Sequence, residues 1–186
     1  MRYNVAGYLV NTPDGPAGEP GIGYNYILTA SGVYLQAEND LLSVCIPIAL
    51  ARVKVRGLAD LVTRVELKHG PVPLDLWTTA VQLGWGHQPN EIYLAVVWCP
   101  DGAYRLFWPR QQGARTNVAY HREPSTVVDI HTHPGGHAFF SSVDDTDERG
   151  LGIFAVIGYP NGVHEARLRV GAYGYYYPLD LEAIFR

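Results

Sequence analysis

The stretch T-V-V-D-I-H-T-H-P-G-G-H-A-F-F-S-S-V-D-D-T-D, residues 126–147, decides the fold. Its first eight residues are rich in β-formers and predict a strand over 126–133. His131 and His133 stand two apart, so on a strand both imidazoles leave the same face. Two imidazoles side by side can bind one metal ion, and neutral imidazole nitrogen suits Zn²⁺ at about 2.0–2.1 Å. A catalytic zinc takes three protein ligands and leaves its fourth position to water, so a third ligand is required, commonly a carboxylate. Ser141-Ser-Val-Asp144 has the capping-box pattern and predicts a short helix over about 142–150. The plainer reading stands beside this one: a chance HxH pair, and a serine–aspartate pair that only caps a helix.

Working outward, residues 152–159, a turn at Pro160-Asn-Gly162 and residues 164–177 form a hairpin pattern. Upstream, residues 74–84 have helical spacing, with Leu76, Thr79, Ala80 and Leu83 on one face and Gly84 as a stop. A turn over 86–90 leads into the β-forming run 91–98, and Pro100-Asp-Gly102 turns that run into 103–108. Residues 69–186 therefore predict an α/β (α+β) domain built on a mixed sheet. A composition shift at His69-Gly-Pro-Val-Pro73 separates it from residues 1–68, a β-rich N-terminal extension. That extension has a Pro/Gly-rich loop over 11–23, a hairpin around Thr29–Gly32 and a strand over 41–50, where Pro47 marks an edge or bulge. Arg52, Lys54, Arg56, Arg64 and Lys68 are diluted by Asp60 and Glu66, the pattern of a solvated face.

Composition narrows the function classes. The 186 residues carry a net charge of −4, which gives no reason to expect nucleic acid or an anionic membrane as partner. Cys45 and Cys99 form no CxxC pattern, so a disulfide framework and a thiolate zinc site are both disfavoured, and two buried apolar thiols are expected. No run approaches the ~18 apolar residues of a membrane span, and the first ten residues lack a signal-peptide core. A soluble, cytoplasmic protein is the expectation. Zinc nucleobase deaminases need H-x-E with P-C-x-x-C, and a large class of zinc proteases needs H-E-x-x-H; neither motif occurs.

The pattern H-x-H-x(7)-S-x-x-D, met by His131, His133, Ser141 and Asp144, resembles the signature of the JAMM (JAB/MPN-type) metalloproteases, and Pro134 matches their usual H-x-H-P. The resemblance covers roughly residues 70–178. It implies a cytidine-deaminase-like fold, a curved mixed β-sheet flanked by a helix on each side. It implies one Zn²⁺ per chain, held by His131, His133 and Asp144. It also implies a glutamate from an earlier strand, and Glu91 in Pro89-Asn-Glu91 stands forty residues before His131. Glu66 and Glu123 are the alternatives, and an exposed carboxylate at a strand start is the plain reading of Glu91. In the implied mechanism Glu91 is general base to the zinc-activated water and Ser141 donates to the oxyanion. Asp129 and Asp145 would orient an imidazole. His137 is expected to be a loop residue without a role, Phe139 and Phe140 to anchor that loop in the core, and His69, His87, His121 and His164 to stand alone.

Residues 129–147, with the β-rich extension, further resemble the bacterial PRTRC system protein A family. That resemblance implies a peptidase or isopeptidase acting on a peptide or after the C-terminus of a ubiquitin-like protein, with a ThiF/E1-like cassette partner. A catalytically silent scaffold or metal-binding protein of the same fold, working by protein–protein contact, is the competing reading. The pattern leaves the oligomeric state open.

Overall fold

Alternating apolar positions build the first part of the chain into one sheet. The computed structural model describes residues 4–114, 118–120 and 123–186, so His121 lies outside the described residues. Strands β1 (Ala6–Thr12), β2 (Gly15–Glu19), β3 (Tyr24–Thr29), β4 (Gly32–Glu38), β5 (Leu42–Leu50) and β6 (Arg64–Leu67) order as β2-β1-β3-β4-β5-β6. β1 pairs parallel with β3, and the other neighbours pair antiparallel. The β3–β4 turn needs Gly32, whose φ of 140° suits no other residue well and whose Cβ would overlap the Ala49 carbonyl. Asn39 Oδ1 accepts from the N–H groups of Leu41 and Leu42 and so turns β4 into β5. Pro47 sits opposite Tyr34 next to a register shift and beyond the stretch of β5 that β6 covers, so its missing N–H costs no ladder bond. Lys54, Arg64 and Lys68 face Asp60, Glu66 and Glu38 at 2.7, 3.9 and 3.0 Å, an exposed and largely neutralised face.

Two compact units partition the chain: Met1–Lys68 with Tyr175–Tyr177, and His69–Gly174 with Pro178–Arg186. The second contains α1 (Leu74–Gly86), β7 (Tyr93–Trp98), β8 (Tyr104–Phe107), β9 (Gln111–Gly113), β10 (Val118–Tyr120), β11 (Thr126–His133), α2 (Ser142–Asp147), β12 (Leu151–Gly158) and β13 (Glu165–Ala172). With β14 (Tyr175–Leu179), the main sheet runs β14-β13-β12-β11-β7-β8. β11 pairs parallel with β12 and antiparallel with β7, which makes the sheet mixed. Its central strands are apolar on both faces: Leu94, Val96, Ile130, Ile153, Ala155 and Val156 have no exposed surface. A sheet buried on both faces needs cover on both. α1 covers the face that carries Ile130 and Thr132, and α2 stands over the opposite face, that of Asp129, His131 and His133. Among the described residues no helix is long and apolar enough to cross a membrane.

The helices depart from expectation in three ways. α1 buries Trp77, Ala80 and Gly84, whereas Thr79 faces solvent and donates its hydroxyl back to the Asp75 carbonyl at 2.8 Å. The helix is rotated so that Trp77 meets Phe185, ring centroids 5.2 Å apart, with Ala80 and Gly84 on the same buried face. Gly84 is no stop either, since α1 runs on to Gly86. It is small because a Cβ there would overlap the Tyr159 hydroxyl and lie 2.8 Å from Thr132 Cγ2. That hydroxyl is held in place, donating to the Val81 carbonyl at 2.8 Å. Gly84→Ala should therefore destabilise the protein by about 1–3 kcal/mol, because overpacking outweighs the ~1 kcal/mol gain in helix propensity. A urea midpoint equal to or above that of the wild type would contradict this. Finally, α2 ends at Asp147, short of 150, because Glu148 leaves the helical conformation as its C-cap.

Candidate metal centre

Strand alternation puts Asp129, His131 and His133 on one face of β11. That face opens into a cavity of about 540 Å³. Tyr93, in register with His131, and Phe154, in register with Asp129, widen the same face. Glu91 enters from the lead-in to β7, which starts only at Tyr93. Ser141, Asp144 and Glu148 enter from α2 and its two ends. The cavity thus brings together all five residues expected from the sequence to carry chemistry, with Glu148 as an addition.

The start of α2 sets Asp144. The Ser141 N–H donates to Asp144 Oδ2 at 2.5 Å, and the Asp144 N–H donates to Ser141 Oγ at 3.3 Å, a complete capping box. One carboxylate oxygen is thereby fixed, and the other, Oδ1, stands 3.4 Å from His131 Nε2. That nitrogen is buried and has no hydrogen-bond partner among the described residues. Burial holds the His131 pKa down at about 4; Asp144 opposes this, while His133 and Arg169 add to it. His131 is therefore a neutral imidazole at pH 7. A buried polar atom left unpaired costs about 1–3 kcal/mol, and 3.4 Å lies beyond the ordinary hydrogen-bond range. A cation between the two groups would satisfy both.

His133 lies beside it, ring centroids 5.1 Å apart. Its Nδ1 is 3.1 Å from the His137 carbonyl. A carbonyl only accepts, so Nδ1 carries a proton and Nε2 is the nitrogen that can turn to a metal. His137 thus has a part to play through its backbone. Its side chain pairs with Glu165 at 3.0 Å, and Glu165 also takes the Ala138 N–H, so the β11–α2 loop is clasped to the start of β13. Phe139 corrects another expectation. It is 55% exposed, packs 4.6 Å from the His133 ring and lines the cavity mouth instead of anchoring in the core. Phe140 packs beneath the Arg169 guanidinium, 3.8 Å from the ring centre.

Burial raises the Glu91 pKa to about 7, and the Asp144 charge adds to it. The Glu91 N–H donates to the Ala114 carbonyl, which anchors its backbone. Of the alternatives, Glu66 belongs to the first unit and faces Arg64, and Glu123 is not among the residues lining the cavity. Asp129 accepts the Tyr93 hydroxyl at 2.5 Å, and Asp145 meets Arg169 Nη1 at 2.7 Å.

Glu148 is the residue that sequence reasoning missed. Donor atoms of His131, Asp144 and Glu148 lie within 4.8 Å of one another, a group able to hold a metal ion. The signal that could have found Glu148 is its i, i+4 spacing from Asp144, which puts both carboxylates on one side of a helical turn. Its burial depends on Arg169, whose Nε and Nη2 donate to Glu148 Oε2 at 2.8 and 2.6 Å. Burial holds the Glu148 carboxyl up at about 7 against the pull of that arginine.

Residues 75–170 match the family described as prokaryotic homologs of the JAB domain. No curated protein matches the chain.

Proposed function

The chain belongs to the prokaryotic homologs of the JAB domain, and from that premise we propose that it is a zinc-dependent peptidase or isopeptidase. One observation carries the reading: the buried, unpartnered His131 Nε2 faces Asp144 Oδ1 in a cavity that also holds Glu91. The donor set fits the ion, with two imidazoles and a carboxylate as ligands and room for water. A Zn²⁺ held by His131, His133 and Asp144 would supply Lewis acidity and a water acidified toward neutrality.

The remaining steps belong to the chain's own residues. Glu91 takes a proton from the attacking water on its carboxylate and returns it to the leaving amine. A pKa near 7 suits both transfers, because the group is neither too weak a base nor too weak an acid at neutral pH. The Ser141 hydroxyl accepts the Asp144 N–H and still has its own proton to donate, here to the developing oxyanion. Val143 and Phe139, both well exposed at the cavity mouth, offer apolar surface to the residues flanking the scissile bond.

The substrate class we propose is the bond after the C-terminus of a ubiquitin-like protein, with a ThiF/E1-like protein as cassette partner. Support for both comes from the resemblance of residues 129–147 to PRTRC system protein A. The purified protein is expected to contain about one zinc per chain and to cleave a ubiquitin-like protein fused at its C-terminus. Zinc well below stoichiometric, with no cleavage after zinc is added, would leave the scaffold reading in its place.

A further inference from the structure

A carboxylate this close to a metal centre is either a ligand or is kept from being one. Glu148 is near enough to His131 and Asp144 to ligate. A fourth protein ligand would fill the position that a catalytic site leaves to water and substrate. Arg169 stands on the other side of the balance. It reaches from β13, opposite Phe154 in register. Two of its nitrogens donate to Glu148 Oε2 and a third to Asp145 Oδ1. Arg169 is 8% exposed, and its guanidinium is covered by the Phe140 ring. Both of its carboxylate partners follow Asp144 within four residues, so the same contacts pin α2 to the sheet.

We propose that Arg169 is a positioning residue that ties up the Glu148 carboxylate, keeps it out of the ligand set, and so preserves the open position of the metal centre. This inference rests on the metal-centre reading above. Its physical basis is that drawing Glu148 Oε2 onto a metal would break two hydrogen bonds from a buried guanidinium and leave it with the half-exposed Asp145, a weaker counter-charge for a buried cation. Arginine suits the task because its planar fork can hold two carboxylates at once and cannot lose its proton.

The test uses metal-free full-length wild type, E148Q, R169M and the R169M/E148Q double variant, each titrated with Co²⁺ against a competing chelator. Affinity and the visible spectrum of the bound cobalt are read together. E148Q is expected to match the wild-type spectrum and to bind within about threefold, below the ~10–100-fold loss that follows removal of a ligand-orienting partner. R169M is expected to bind about tenfold or more tightly, with the weaker visible band of a higher coordination number, as Glu148 joins the ligands. The double variant should return to the wild-type spectrum. A changed spectrum with about tenfold or weaker binding in E148Q would make Glu148 a native ligand and overturn the proposal. So would a wild-type spectrum in R169M. If R169M fails to fold, the E148Q spectrum decides alone, since that variant keeps an acceptor oxygen for Arg169. A wild type that binds no cobalt overturns the metal-centre reading itself, an outcome that none of the three variants can imitate.

Discussion

Glu91→Gln should keep the metal and lose the reaction, with kcat falling by about 10²–10⁴ while zinc content stays at the wild-type level. Glu91 is outside the group of His131, Asp144 and Glu148, but it shares their cavity and responds to the Asp144 charge. The amide can still hydrogen-bond to a water but cannot accept its proton. Parallel loss of metal and activity would show that Glu91 is a ligand instead of a base. The same variant has a pH signature in the metal-free protein. Because the folded pKa of Glu91 is raised from 4.5 to about 7, its contribution to stability is full below 4.5 and is lost as pH rises through 7. The amide that replaces the carboxyl has no proton to lose. In chelator at about pH 8 the variant should be more stable than wild type by on the order of 1 kcal/mol, discounted because the side chain is only half-buried. The difference should vanish at about pH 4. Urea unfolding at the two pH values reads this directly, and a wild type that stays ahead on the alkaline side would contradict it.

His131→Ala should abolish the centre. Loss of a direct ligand is expected to cost more than the ~10–100-fold in affinity that follows loss of an orienting partner. The clearest measurement is the gap in Tm between zinc-loaded and chelated protein. A ligand at about 1,000 times its Kd stabilises the native state by about 4.1 kcal/mol, so the wild type should show a wide gap. The variant should show almost none, and its chelated form should melt close to chelated wild type. That follows because the imidazole removed was buried, neutral and unpartnered at Nε2, and so contributes little without a metal. An undiminished gap in the variant would put the ion elsewhere.

Much of the centre is legible along the chain because its signals are local. β11 was readable from β-formers in period two, and the positions of His131 and His133 on one face follow from that period alone. Ser141 and Asp144 were readable because a capping box joins residues three apart. The face of α1 was not readable. Two neighbouring stripes were both apolar enough, and the choice went to the one whose Trp77 meets Phe185, far away in the chain. Phe139 misled for a related reason: an aromatic residue in a loop looks like an anchor until the neighbouring position, Phe140, is seen to take that place against Arg169.

By itself the sequence determined the strand–loop–helix carrier, the spacing of its four polar residues and the α+β class, since each depends on backbone periodicity or on contacts within a few residues. Tertiary structure alone decided the environment of those residues. Burial of His131 Nε2, the raised pKa of Glu91 and the arrival of Glu148 against Arg169 all depend on which strands lie side by side. Desolvation and charge pairing act through space, and a buried arginine 21 residues beyond its glutamate leaves no local pattern from which the pair could be read.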